Sequence, residues 1–185
     1  FATSFSGTSG NDLAIGETAT FDIVVTFAEG TTPNAFLIDD LPVAPGVLEL
    51  VSATVLSIGG NTTPGTTAGD NLSVTNLSVG ASAIINDNNP DSYDDQAVFD
   101  FGTVLNTGDN VTDDKDTIIV RVVARMIDIA ANVSGETSVN TASLASGAAS
   151  LASDTADVDT VEPVLTATKT ILSAPTTNLE AGDTV

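Results

Sequence analysis

Cysteine, histidine and tryptophan are absent from the 185 residues, tyrosine occurs once, and lysine and arginine together number 4. Each shortage removes a class of chemistry. Without cysteine there is no disulfide framework, and without cysteine or histidine the usual zinc and iron ligands and the Ser-His-Asp and Cys-His nucleophile systems are gone. Four cations make no footprint for a phosphate backbone or an anionic lipid surface, because such binding needs clustered Lys and Arg. Nucleic acid and acidic membranes are therefore excluded as partners. One tyrosine and no tryptophan leave no aromatic platform of the kind sugar clefts use. No Gly-rich phosphate loop and no G-x-S-x-G stretch occurs either, and the chain reads as non-enzymatic. Long apolar runs are also missing. The stretch from Thr117 to Ala131 is interrupted by Arg121, Arg125 and Asp128, so it falls short of the roughly 20 apolar residues of a membrane helix.

What the chain has instead is acid and apolar residues together. Asp and Glu number 25, the net charge is -21, and 42% of residues are hydrophobic, too many for the low-hydrophobicity, high-charge regime of disorder. The chain is expected to fold. Thr, Ser, Ala, Val, Asn, Gly and Asp dominate where cytosolic helical proteins use Lys, Arg and Glu, which points to an extracellular, cell-surface location.

Hydrophobic periodicity is that of strands. From Glu17 to Phe27, the residues Ala19, Phe21, Ile23, Val25 and Phe27 share one face; from Asp116 to Asp128, Ile118, Val120, Val122, Ala124 and Met126 do so, with Arg121, Val123 and Arg125 opposite. Further strand segments are Ala35–Ile38, Val47–Ile58, Asn71–Leu77, Ala97–Phe101, Thr137–Ala145, Ala156–Val161 and Val164–Leu172. Gly, Pro, Asn and Asp clusters separate them, notably Gly59–Asp70 and Asn86–Asp95. Many short strands joined by such turns predict an all-β sandwich, with Phe21, Ile23, Val25, Ile118, Val120 and Val122 in its core.

The two ends of the chain also repeat each other. Asp12-Leu13-Ala14-Ile15-Gly16-Glu17-Thr18-Ala19 aligns with Asn178-Leu179-Glu180-Ala181-Gly182-Asp183-Thr184-Val185 at an offset of 166 residues, and the same register sets Thr3-Ser4-Phe5 against Lys169-Thr170-Ile171. This predicts one complete unit, residues 1–162, followed by a linker at Pro163 and, in residues 163–185, the opening strand of a next unit or a strand donated to a neighbour.

Five stretches carry a family likeness: Ile15-Gly16-Glu17-Thr18-Ala19-Thr20-Phe21, Ile38-Asp39-Asp40-Leu41-Pro42, Phe101-Gly102-Thr103-Val104, Gly135-Glu136-Thr137-Ser138-Val139-Asn140-Thr141-Ala142, and Val161-Glu162-Pro163-Val164-Leu165-Thr166-Ala167-Thr168-Lys169-Thr170. In this order they resemble the DUF11-type Ig-like repeats that stand in tandem in large bacterial cell-surface proteins and adhesins. The resemblance implies an Ig-like β-sandwich, a surface location, a stalk or adhesive role and no catalysis. The chain exceeds the roughly 100 residues of an Ig-like fold, and an enlarged loop insertion at about 59–95 accounts for the excess. It also carries Thr3 where such a repeat starts with Lys.

Two constellations bear on chemistry. Asp87, Asn89, Asp91 and Asp95 place side-chain oxygens at alternate positions of one loop, the arrangement that wraps a hard cation such as calcium, Ca2+. Asp109, Asp113, Asp114 and Asp116 form a second cluster that folds against the first in this reading; solvated acidic loops without a site are the alternative. The other constellation is a crosslink between Lys169 and Asn140. Related surface domains join a strand Lys to an Asn or Asp beside a buried acid, for which Asp22, Asp39 and Asp40 are the candidates; since the aligned position in this unit is Thr3, Lys169 would serve the following repeat and find its partners beyond Val185, and an exposed strand lysine is the alternative. Arg121 and Arg125 are expected to pair with acids across strands. Five N-x-S/T sequons, at Asn61, Asn71, Asn76, Asn110 and Asn132, are mostly the product of composition.

The function expected is a structural repeat module of an extracellular fibre, stalk or adhesin, with neighbouring repeats as partners. A self-assembling filament or surface-layer subunit, joined to identical subunits by strand exchange or calcium, is the alternative. A domain that binds ligand through the 59–95 insertion is a third reading.

Overall fold

The computed structural model describes residues 2–3, 10–44, 46–89, 91–162, 167–170 and 181–182. Eleven strands make up the described part: β1 (Ala2–Thr3), β2 (Asp12–Ala14), β3 (Thr18–Thr26), β4 (Gly30–Asp40), β5 (Leu48–Ile58), β6 (Leu72–Val74), β7 (Ile84–Asn86), β8 (Gln96–Asn106), β9 (Thr117–Met126), β10 (Thr137–Ser146) and β11 (Ala149–Val161). A single 3-10 turn, Asp114–Asp116, precedes β9.

These strands form two sheets packed face to face, an all-β Ig-like sandwich. One sheet runs β1-β3-β9-β5, the other β2-β11-β10-β4-β8-β6, with β7 also on β8. The alternation read from sequence sets the register. Phe21 lies opposite Val122 and Ile23 opposite Val120, so the apolar faces of β3 and β9 point together into the space between the sheets. Phe21, Val25, Ile118, Val120 and Val122 are buried as expected, while Ile23 is only half-buried. The second sheet contributes Leu37, Phe99, Phe101 and Val104. Phe27 meets Phe101 edge-on, with ring centroids 6.2 Å apart, the geometry that the ring quadrupoles favour.

Outward faces carry both arginines and the acids that pair with them. Arg121 donates to both carboxylate oxygens of Asp22, each at 2.7 Å, directly across the β3–β9 pair. Arg125 pairs with Glu49 on β5.

Segment 59–95 is less of a loop than its composition predicts. β6 and β7 both pair with β8, and Val55 N–H bonds Ala81 O, so the excursion is folded back onto the sandwich. Gly69 is where it closes: a Cβ there would run into the carbonyl oxygens of Gly59 and Ile58. β4 is longer than Ala35–Ile38. It begins at Gly30 and passes Pro33 through a bulge at which Asn34 adopts φ 49°, the left-handed conformation Asn tolerates better than most residues. β11 likewise starts at Ala149 rather than Ala156, and its first nine residues are exposed. Their small and polar side chains gave little apolar signal.

β11 ends at Val161. Pro163 and most of the predicted strand Val164–Leu172 lie outside the described residues; Ala167–Thr170 are described, exposed and in no strand.

Candidate functional site

The strands separate the two acidic clusters. β8 begins just after Asp95 and ends at Asn106, just before Asp109, so Asp87–Asp95 sits at one pole of the sandwich and Asp109–Asp116 at the other. Eleven strand residues at about 3.3 Å each put roughly 33 Å or more between them. The second cluster does not fold against the first.

Within each cluster several carboxylates are occupied with N–H donors. Asp95 is buried; its Oδ1 accepts from Asn88 N–H at 2.7 Å and its Oδ2 from Asn89 N–H at 3.1 Å. Asp91 Oδ1 accepts from Tyr93 N–H. At the other pole, Asp109 accepts from Asn71 Nδ2 and Val111 N–H, which hold its carboxyl below the usual range. Asp113 caps the 3-10 turn, accepting from Lys115 N–H while Asp116 reaches back to Asp113 N–H. Asp114 faces Gly60, Asp70 and Lys115 across a shallow polar hollow. Asp87 is exposed. Among the described residues no three acids converge as metal ligands do.

Asn140 and Asp39, by contrast, come together. On β4 the inward positions are Ala35, Leu37 and Asp39; on β10 they are Ser138, Asn140 and Leu144. Strand phase thus carries both polar side chains into the interior, where Asp39 is 0% and Asn140 4% exposed. Asn140 Nδ2 donates to Asp39 Oδ1 at 3.0 Å, while Asp39 Oδ2 and Asn140 Oδ1 have no hydrogen-bond partner among the described residues. Burial pushes the Asp39 carboxyl up to about 7, against the stabilising bond from Asn140 and with help from the charge of Asp40. Of the other two acids considered beside Asn140, Asp22 is held outside by Arg121, and Asp40 accepts from Gln96 Nε2.

The Asp39–Asn140 pair lines a cleft of about 350 Å³ between β3 and the edge formed by β10 and β11, together with Phe21, Ile23, Ala142 and Ala156. This opening is why Ile23 is not fully buried. A carboxyl that titrates near neutrality can give or take a proton at the carboxamide it touches. Lys169 is exposed, and no bond among the described residues joins it to Asn140 or Asp39.

The sequons are unequal. Asn132 is buried, and its side chain clips the loop before β5 to the loop after β9: Oδ1 accepts from Val47 N–H, and Nδ2 donates to Val47 O at 2.9 Å and Ile127 O at 2.7 Å. Its structural role is invisible in the motif Asn132-Val133-Ser134. Asn76 and Asn110 are exposed, and Asn61 and Asn71 half-exposed.

No protein-family profile matches the chain, and no curated protein is similar to it.

Proposed function

We propose that the chain is a non-catalytic structural module of an extracellular fibre, stalk or adhesin on a bacterial surface, one unit in a series of copies. One observation supports this most. β1 runs antiparallel to β3, and β2 runs parallel to β11, so the opening strands and the last strand all point toward the same pole. Entry and exit thus share one direction, and units following one another along it would stack pole to pole. Strands of eleven to thirteen residues make each unit roughly 36–43 Å long at about 3.3 Å per residue. Spacing and stability are then the function, and the long hydrogen-bonded strands serve both.

Small-angle scattering on one unit and on two units joined in tandem tests it. The maximum dimension should grow by about one strand length, roughly 40 Å; a doubled mass with little growth in length would mean folded-back units and refute the stalk.

The open side of the sandwich favours a second reading, assembly of separate copies into a filament. There, among the described residues, no strand pairs with the outer edge of β3 from Asp22 to Thr26 or with that of β11 from Ala149 to Asp157. Unpaired strand edges are templates for an added strand.

A further inference from the structure

The sandwich is stitched along one side and open along the other. On the stitched side residues 80–83 run beside β5, where Gly80 N–H bonds Val55 O and Ala83 N–H bonds Ala53 O, and β7 then pairs with β8 of the second sheet. Next to the Asp39–Asn140 cleft, between β3 and β11, no described segment ties the sheets in this way. The interior is therefore reached from this side. Here lie two buried oxygens, Asp39 Oδ2 and Asn140 Oδ1, without a hydrogen-bond partner among the described residues.

What the pair offers is narrowly defined. Asn140 Nδ2 is committed to Asp39 Oδ1, so one carboxylate oxygen and one carbonyl oxygen remain, both acceptors. No cationic side chain among the described residues bonds either of them; Arg121 is held by Asp22, Arg125 by Glu49, and Lys115 stands by Asp113 at a pole. The cleft walls include Phe21, Ile23, Ala142 and Ala156, and a carboxylate left without a counter-charge among apolar groups is costly. Asp40 follows Asp39 in the chain and Asp154 lies at the rim. Like charges around an opening concentrate small ions of the opposite sign there.

The donor set selects the ion. Oxygen ligands without nitrogen or sulfur suit hard cations. Calcium gathers six to eight oxygens and gains affinity with the charge of its ligands, and magnesium gives up its water reluctantly. A divalent ion here would meet a single buried carboxylate and keep an unbalanced charge against apolar walls. A monovalent ion is neutralised by Asp39 alone, and a cleft of about 350 Å³ has room for the waters that complete its shell.

We propose that this cleft binds one alkali cation, sodium or potassium, held by Asp39 Oδ2 and Asn140 Oδ1 with water in the remaining positions. The site belongs to a single unit, so it is the same whether units stand in series or assemble from separate copies.

Thermal melting of the full chain at pH 8 tests it, in sodium, potassium and tetramethylammonium chloride at one ionic strength. Tetramethylammonium screens charge but is too bulky to take oxygen ligands at close range. Sodium or potassium should raise the wild-type melting temperature above its value in tetramethylammonium by about 3 °C or more. Asp39→Asn keeps the shape of the side chain and should cut that difference to under about 1 °C, while Asp154→Asn should retain most of it. Should Asp39→Asn fail to fold, sodium-23 line broadening by the wild type decides: saturation at one ion per chain supports the site, and broadening that never saturates overturns it. Equal melting of the wild type in all three salts, or an alkali increment that survives Asp39→Asn, also overturns it. An increment lost equally in Asp154→Asn would assign the effect to surface charge and sink the inference. A calcium increment beyond that of sodium, removed by Asp39→Asn, would overturn the choice of a monovalent ion.

Discussion

Asp39→Asn should stabilise the unit, and more at high pH than at low. The replacement keeps the shape of the side chain and an oxygen for Asn140 Nδ2, and it removes the charge that the interior penalises. In the folded chain the carboxyl is raised from 3.8 to about 7; in the unfolded chain it takes its ordinary value. Between those values the folded state holds a proton that the unfolded state has lost, so stability falls as pH rises through this window and is flat above it. At about 1.4 kcal/mol per pH unit, a displacement of about three units amounts to about 4 kcal/mol lost by pH 8, of which about 1.5 is already lost at pH 5. The measurement is urea unfolding of wild type and variant at pH 5 and pH 8. The variant's advantage should grow by about 3 kcal/mol between the two, or by several degrees in melting temperature for a domain of this size. Comparing the two chains cancels the titration of the other acids. Parallel pH profiles would refute the claim that Asp39 is buried and protonated.

Asn132→Ala should destabilise by about 3 kcal/mol in the same unfolding assay, since it strands Val47 N–H and two carbonyls in a buried loop junction. Peptide mapping after expression in a glycosylating host should accordingly find no glycan at Asn132, whatever happens at Asn76. Gly69→Ala should cost about 2 kcal/mol or more by forcing the closure of the 59–95 excursion apart from two carbonyl oxygens, and protease nicking confined to that segment would be its local signature. Millimolar calcium is expected to raise the melting temperature no more than sodium at matched ionic strength, because Asp91, Asp95, Asp109 and Asp113 already accept N–H bonds and the clusters sit at opposite poles; a calcium-specific rise removed by Asp91→Ala would contradict this.

Alternation made β3 and β9 legible down to the faces of single residues, because each strand buries one face, apart from the half-buried Ile23, and leaves the other at least partly exposed at most positions. It failed where that contrast fades. β11 is exposed on both faces from Ala149 to Asp157, so no apolar period marks it. β7 is held by β8 through backbone pairing while Ile84, Ile85 and Asn86 are exposed, so it has no buried face to read. The acidic clusters were visible as composition, but their separation was not. It depends on β8 extending to Asn106, past the last aromatic residue, Phe101, where Gly102 at φ 69° bends the strand.

The Asp39–Asn140 pair shows what strand phase can reveal when it is followed through polar residues. Asp39 stands two places beyond Leu37, and Asn140 four places before Leu144, each in step with an apolar face. Reading the strand as ending at Ile38 hid the phase of Asp39 and left three acids equally eligible beside Asn140. Pairing resolves the choice: Asp39 lies opposite Ala142 on β10, two positions from Asn140 on the same face, whereas Asp40 has the opposite phase and Asp22 is drawn outward by Arg121. A buried acid and a buried carboxamide with an acceptor each to spare are costly to keep in an otherwise apolar interior.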